Sequence, residues 1–513
     1  MSTRQLPARP NLEHLKKQAR VLLRESLEGD AAAVQRLHKA GVQSQPKLAD
    51  ALHTIAREYG FDTWGSLKGH VESSSEDPVE ALTGAVRAND AALVRKVLKR
   101  HPALKSRLNE PLPNFGFDAP ALIGAVNHGN REMVDVLLDA GTDINARTRW
   151  WAGSFGVFDG DPKLASFLIE RGAYVDIHAA ARLGIFHRVK ELVGGDPELV
   201  HARGGDGQMP LHFAATVEIA AYLLDHGAEI DARDIDHEST AAQYMAGCTS
   251  WPRMDVLRYL ISRGAQTDIF MAVSLGDLAL VRKYLDADPA LVRVSVSEKD
   301  LPKKNPHSGG SIYIYTFGWA KTPHMIAHQF GHEEVFRLLM KRSPLWLQLT
   351  QACEVGDEAL AKELIVQHPK LVESLTEKAR RRIVGTALRN NTKGIRLMLG
   401  AGWPADVRGD RGQTPLHWAA WHGNVEMVRE LLRHHAPLEV QEDEYKATPL
   451  GWAIHGSEHG WHRDKGDYGQ TVEALLAEGA KAPNLAAIEA SEEVLKVLRR
   501  HSGNACAVLS RAD

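Results

Sequence analysis

The sequence predicts an all-α fold, a solenoid of stacked helix-turn-helix pairs with extended loop tips, preceded by a small helical N-terminal module. Three observations predict it. The chain has 513 residues, more than one hydrophobic core organises, so several domains or a repeat array are expected. One helix-turn-helix pattern recurs along most of the chain. Its apolar residues fall at helical spacing rather than in the alternation of strands.

The N-terminal module takes residues 1–72. Leu12, Leu15, Ala19, Leu22 and Leu23 make one helical stripe, and Leu48, Leu52, Ile55, Ala56 and Tyr59 another. A third short helix is expected from Asp62, burying Trp64, Leu67 and Val71. The run Glu72-Ser73-Ser74-Ser75-Glu76-Asp77-Pro78 reads as a linker. The module's expected role is to cap an array whose terminal repeat would otherwise expose its apolar face.

The repeats take residues 79–503, about twelve of them by their period. The clearest begins Thr414-Pro415-Leu416-His417-Trp418-Ala419-Ala420-Trp421-His422-Gly423-Asn424. Thr414 suits a helix N-cap, and Pro415 the first turn, where its missing N–H is not needed. Leu416, Ala419 and Ala420 give a thin apolar face that lets a second helix approach. Gly423 permits the turn between the helices. Met427, Val428, Leu431 and Leu432 then form the second stripe.

This unit resembles the ankyrin repeat, whose signature is Thr-Pro-Leu-His-x-Ala with a period of about 33 residues. Variants start at Met209-Pro210-Leu211-His212, Ala121-Leu122-Ile123, Thr322-Pro323-His324 and Thr448-Pro449-Leu450. In the resemblance His212, His324 and His417 brace neighbouring repeats by hydrogen bonds. A second variant ends in a charged residue, Pro and Leu, as over Leu93–Leu104, Val189–Val200, Leu280–Val292 and Leu360–Val372. The N-terminal module looks like the helical leader of some bacterial ankyrin-repeat proteins, with Leu12-x-x-Leu15-Lys16-Lys17-Gln18-Ala19 at its start and Arg57-Glu58-Tyr59-Gly60-Phe61-x-x-Trp64 at its end.

Four places break the pattern, and they are the candidate sites. Around Trp150, Trp151 and Phe155, three glycines replace a first helix; the aromatics either fill the space left or form a binding surface. In the loop from Asp231 to Thr240, Asp236 and Glu238 flank His237, a set able to bind a cation or tune a general base or simply to satisfy loop donors. A long insertion spans residues 294–320; the alternation in Gly309–Gly318, with Tyr313 and Tyr315, reads as a strand of a hairpin reaching over the repeats. The fourth place is rich in Trp and His. Trp418 and Trp452 occupy equivalent slots and read as core, whereas Trp421, His422 and His455 hold slots on the ligand side of the repeat. An insertion at 457–470 adds His459, Trp461 and His462, and His455-x3-His459-x2-His462 is a weak metal-chelating spacing.

Composition narrows the functions. The formal charge of −3 and pI of about 6.8 lack the basic excess of a dedicated nucleic-acid binder. No segment has the apolar length of a membrane span, and Met1–Arg20 lacks a signal-peptide core. Cys248, Cys353 and Cys506 are too far apart in sequence for a metal or redox motif, which suggests a reducing, cytoplasmic setting. No phosphate loop, nucleophile elbow or His-Glu-x-x-His helix occurs, so no cofactor is expected.

The leading expectation is a non-enzymatic interaction protein that binds a protein partner on the concave face of the array. Arg411, Gln413, Trp421 and Tyr445 are contact candidates, since Trp, Tyr and Arg dominate interface hot spots. The alternative is a small-molecule site. In its enzymatic form, Trp150, Trp151, His237, Glu238 and Tyr313 would line one hollow. His237 would be the base, with Glu238 or Asp236 orienting it, in a cofactor-independent hydrolysis, elimination or isomerisation.

Overall fold

The computed structural model describes residues 4, 12–42, 46–68, 77–247, 253–483 and 488–509. Val71, residues 72–76 of the expected linker and Cys248 lie outside them. The chain divides into two compact units, Met1–Pro210 and Leu211–Asp513. Regular structure among the described residues is helical, and the sole β-pairings are isolated bridges. No described helix is long and apolar enough to cross a membrane.

The first unit opens with helices Leu12–Leu27, Ala31–Lys39 and Leu48–Glu58, followed by a helical turn at 64–68. The Ala31–Lys39 helix is an addition to the sequence reading. Asp30 caps it by accepting the Ala33 N–H at 2.8 Å. Leu15, Ala19, Leu22, Ala51, Ile55, Ala56 and Leu67 form the module's own core. Arg36 ties the last two long helices together through Glu58 at 2.7 Å.

Helix pairs follow. Pro78–Arg87 packs on Ala91–Arg100, Ala121–Asn127 on Arg131–Asp139, and Ile177–Arg182 on Phe186–Gly195. The second unit continues with Ala241–Gly247 and Met254–Ser262, Ile269–Ser274 and Leu278–Ala287, and Pro323–Gln329 and Glu333–Arg342. Leu345–Val355 and Glu358–Gln367 come next, then Arg382–Leu388 and Thr392–Gly400, Pro415–Trp421 and Val425–Arg433, and Pro449–His459 and Tyr468–Ala477. Over Leu93–Leu104, Val189–Val200 and Leu280–Val292 the second helix of the charged-Pro-Leu variant runs into a short 3-10 turn. Pro197 and Pro289 start two of these turns, and Asp196 and Asp288 cap them. Proline supplies the fixed φ, and the aspartate takes the N–H that has no helical partner.

The histidines of the Pro-Leu-His slot act as braces. His417 Nε2 meets the Ala447 carbonyl, 30 residues on, at 3.2 Å, and His212 Nε2 meets that of Ser239 at 3.1 Å. His324 Nε2 bonds the Ser343 hydroxyl at 2.8 Å. Burial holds His324 and His417 neutral, each with its pKa lowered to about 4.

The expected strand in Gly309–Gly318 is a short helix, Tyr313–Thr316. Alternation there is outweighed by a tertiary anchor. The Tyr313 hydroxyl donates to Asp268 Oδ2 at 2.9 Å, and Tyr313 and Phe317, four apart, bring their rings to 5.0 Å on one helical face. The stem of the insertion is closed by Val296 N–H to the Lys321 carbonyl and Ala320 N–H to the Val296 carbonyl, both at 2.8 Å.

Candidate functional site

The Trp- and His-rich end forms one aromatic cluster. Trp418 and Trp452 recur at the same position of adjacent repeats, so their helices bring them together, edge to face at 5.0 Å. Both pack half-buried against the core. Trp421, one turn after Trp418, reaches Trp452 at 6.0 Å. Trp461 comes from the inserted turn. It stacks on Trp418 at 5.8 Å and 22°, meets Trp421 edge-on at 6.0 Å, and remains 65% exposed.

The inserted turn is fixed to the preceding repeat. The Tyr468 hydroxyl donates to the Trp421 carbonyl at 2.7 Å, and the Asp467 N–H to that of Gly423 at 2.9 Å. A Cβ on Gly460 would stand 2.4 Å from both the Gly456 carbonyl and the Tyr468 hydroxyl, so glycine is what the approach allows. The first helix of this repeat runs through His455 to His459, and the turn begins only at Gly460.

His422 departs from expectation. It is 2% exposed rather than presented to a ligand, and its Nε2 meets the Leu388 carbonyl of the preceding repeat at 2.9 Å. Burial lowers its pKa to about 4. Its slot follows the helix end, where the imidazole folds back over the neighbouring helix terminus. The three metal candidates separate into different pairs. His459 lies against His455 at 4.4 Å between ring centres, and His462 against His422 at 5.0 Å. Among the described residues their ring nitrogens do not gather within 4.8 Å as a set of three.

Beside this cluster, Glu442, absent from the sequence candidates, organises a loop tip. Its buried carboxylate accepts the N–H groups of Glu444, Tyr445 and Ala447 at 2.7–3.1 Å, and these bonds hold its pKa below the usual carboxylate range despite burial. Tyr445 projects from that tip, 76% exposed. Arg411 pairs with Glu444 at 3.0 Å, and Gln413 Oε1 accepts the Arg411 N–H at 3.0 Å.

The second candidate brings the 231–240 loop and the insertion together. The Glu238 carboxylate accepts the N–H groups of Lys304 and Asn305 at 2.8 and 2.6 Å. His237 Nδ1 meets the Gly310 carbonyl at 3.0 Å, so that nitrogen carries the proton. Asp236 Oδ1 accepts the Gly309 N–H at 3.0 Å, and its Oδ2 lies 3.7 Å from His237 Nε2. A cleft of about 640 Å³ opens beside them, lined by Arg233, Gln243, Asp268, Lys303 and Lys304 among others. Tyr313, expected to bind, is fully buried instead, because its ring fills the core beneath the insertion. Its hydroxyl pKa stands well above the ordinary value through burial and the neighbouring Asp268, and burial raises Asp268 as well. Tyr315 is exposed, with its ring 4.9 Å from His237 and its hydroxyl on the Gly309 carbonyl at 3.1 Å.

Trp150, Trp151 and Phe155 belong to the first unit, whereas His237, Glu238 and Tyr313 belong to the second. The broken repeat replaces its first helix by a 3-10 turn, Val157–Asp159. Phe117 is the ring that sequence reasoning missed. It meets Trp150 at 5.0 Å and Phe155 at 4.9 Å, and Trp151 adds to the group 45% exposed. Phe117 adopts a left-handed backbone (φ 61°), and nothing in its residue type signals that.

Family models of the ankyrin repeat match residues 119–149, 177–271 and 349–484, together about half of the chain. The mouse ankyrin repeat and SAM domain-containing protein 6 is 32% identical over 127 residues, which cover 24% of this chain and 14% of that protein. Its rat counterpart is 30% identical over 125 residues, with the same coverage. The chain therefore spans about a seventh of the length of these curated relatives. A probable 26S proteasome regulatory subunit p28 of Saccharomyces cerevisiae is 23% identical over 194 residues, covering 32% of this chain and 84% of the yeast protein. With cap, brace and turn residues in place along the helix pairs, the chain belongs to the ankyrin-repeat family.

Proposed function

We propose that this protein is an interaction protein that docks a protein partner on the indole cluster of residues 415–461. Ankyrin repeats generally mediate protein–protein interaction. The carrying observation is Trp461, a mostly exposed indole held flat on Trp418 by a pinned turn. An exposed, pre-organised aromatic group loses little conformational freedom on binding. Tyr445 and Arg411, exposed on the loop tips that precede the first helices of the same two repeats, add an aromatic and a cationic group, the residue types of a binding hot spot. The 5.8 Å between Trp418 and Trp461 leaves no gap for a cation between the rings, so the cluster presents a platform rather than a cage. Co-purification from native extract tests the reading. Trp461→Ala should leave the melting temperature unchanged and lose the partner recovered with the wild type; equal recovery would overturn it.

The cleft beside Glu238 favours a second reading, a polar small-molecule site. Asp236, His237 and Glu238 would then serve as its framework rather than as acid and base, since each bonds the backbone of the insertion. A metabolite that shifts the melting temperature of the wild type but not of Gln243→Leu would support it.

A further inference from the structure

A strip of cations lies along the repeat that precedes the indole cluster. The helical turns Glu377–Arg380 and Arg382–Leu388 place Lys378, Arg382 and Arg389 at spacings of four and seven, on one face. Arg382 and Arg389 converge on one carboxylate. Glu354, whose side chain is 0% exposed, lies 2.6 Å from Arg389 Nη2 and 3.7 Å from Arg382 Nη2. Thr386 Oγ1 and Gln351 Nε2 donate to the same carboxylate at 3.2 and 2.9 Å. One buried anion thus serves two guanidinium groups and two neutral donors.

The insertion adds two more cations. Its stem brings Ala320 against Arg389, whose Nη1 reaches the Ala320 carbonyl at 3.4 Å, and the next residue is Lys321. Lys321 Nζ donates to the neutral Gln329 Oε1 at 3.2 Å, and burial together with Arg389 holds the ammonium below the usual lysine range. At the other end, Lys299 sits beside Lys378 and depresses its ammonium in the same way. Among the described residues neither Lys299 nor Lys378 forms an ion pair within 4.0 Å. Asp300, whose charge acts on the Lys378 ammonium, already accepts from Ser295 and Ser297. Arg381 does not contribute, because Glu377 and Asp410 neutralise it.

We propose that Lys299, Lys378, Arg382, Arg389 and Lys321 form a docking strip for an acidic peptide segment of a protein partner. Glu354 already pairs Arg382 and Arg389, whose side chains are 21% and 11% exposed, and Asp300 is held by Ser295 and Ser297, so among the described residues the charge left without an ion partner lies with Lys299, Lys378 and Lys321. Eleven residues of helix separate Lys378 from Arg389, roughly 16 Å, the length of about five residues of extended chain. A single phosphate would meet only part of that length. The strip also runs on to the indole cluster, since His422 of the next repeat caps the Leu388 carbonyl and touches Trp461 at 5.8 Å. The proposal rests on the reading that the protein docks a partner, and it gives that partner an order, acidic residues followed by apolar or aromatic ones.

The test is fluorescence anisotropy of a fluorescein-labelled hexaglutamate peptide with the full chain at 50 and 300 mM NaCl, with hexalysine as control. Hexaglutamate should bind and weaken with salt, and hexalysine should not bind. The double variant Lys299→Ala/Lys378→Ala should bind about tenfold more weakly with an unchanged melting temperature. Trp461→Ala should bind hexaglutamate as the wild type does. No binding at 50 mM, equal binding by the double variant, or displacement by inorganic phosphate at low millimolar concentration would overturn the proposal, the last by showing a small-anion site. If hexaglutamate binding fails while Trp461→Ala still loses the partner, the acidic-segment proposal falls alone. If the partner survives Trp461→Ala while hexaglutamate binds, the indole reading falls alone.

Discussion

The carboxylate of Glu238 holds the backbone of Asn305, 67 residues away, through a 2.6 Å hydrogen bond from the Asn305 N–H. With the neighbouring bond from Lys304, it clasps the insertion to the loop that precedes the Ala241–Gly247 helix. Glu238→Ala should release both donors and destabilise the insertion by about 1–3 kcal/mol. Hydrogen exchange would read this as faster exchange at Lys304 and Asn305, with residues 415–461 unchanged. Unaltered protection at 304–305 would mean that the clasp does not hold the insertion.

Glu354 sits between two guanidinium groups with no exposed surface. Removing it leaves Arg382 and Arg389 facing each other without an anion in a buried place. Glu354→Ala should therefore destabilise the second unit by about 3–5 kcal/mol. Calorimetry would show the loss, and a change within 0.5 kcal/mol would contradict the packing described.

Gly153 lies where no side chain fits. A Cβ there would stand 2.0 Å from the Gly204 carbonyl oxygen, a backbone atom that cannot swing aside. Gly153→Ala should destabilise the first unit by about 3 kcal/mol, the upper part of the overpacking range. Gly172→Ala makes a useful contrast, since nothing lies within 4 Å of its added Cβ, although its left-handed φ of 89° still carries a smaller backbone strain.

Acid should weaken the second unit. His324, His417 and His422 each have a folded pKa lowered to about 4 by burial, against an unfolded value near 6.5. The unfolded chain then binds more protons than the folded one in that interval. Their contribution is complete above pH 6.5 and is lost as pH falls from there through about 4. Urea melts at pH 7.0 and 5.0 should show a lower midpoint at pH 5.0, and His417→Gln should reduce the difference. Equal midpoints at the two values would contradict buried neutral imidazoles.

The repeat framework was legible because its signals are local. Thr322 and Thr448 cap the helices that start one residue later, and Asp196 and Asp288 cap turns begun by the next proline. Much of the candidate site was not legible, because it depends on contacts across dozens of residues. The Glu238 carboxylate bonds backbone N–H groups, which every residue but proline carries, so no residue type marks the partner segment. Tyr313 looked like part of a strand until Asp268, 45 residues earlier, fixed it as a buried helical residue. His422 was legible as a special position, but its direction followed from the Leu388 carbonyl. Trp461 was recognised as inserted and aromatic. That it lies flat on Trp418 required the Tyr468 and Asp467 anchors.

The central claim is that the pinned indole of Trp461 carries partner binding. Titration of the co-purified partner against the wild type and Trp461→Ala, at matched melting temperatures, tests it most directly. A hot-spot residue predicts at least about 30-fold weaker binding by the variant. Affinities equal within a factor of about two would contradict the claim, since they fall far below any hot-spot effect.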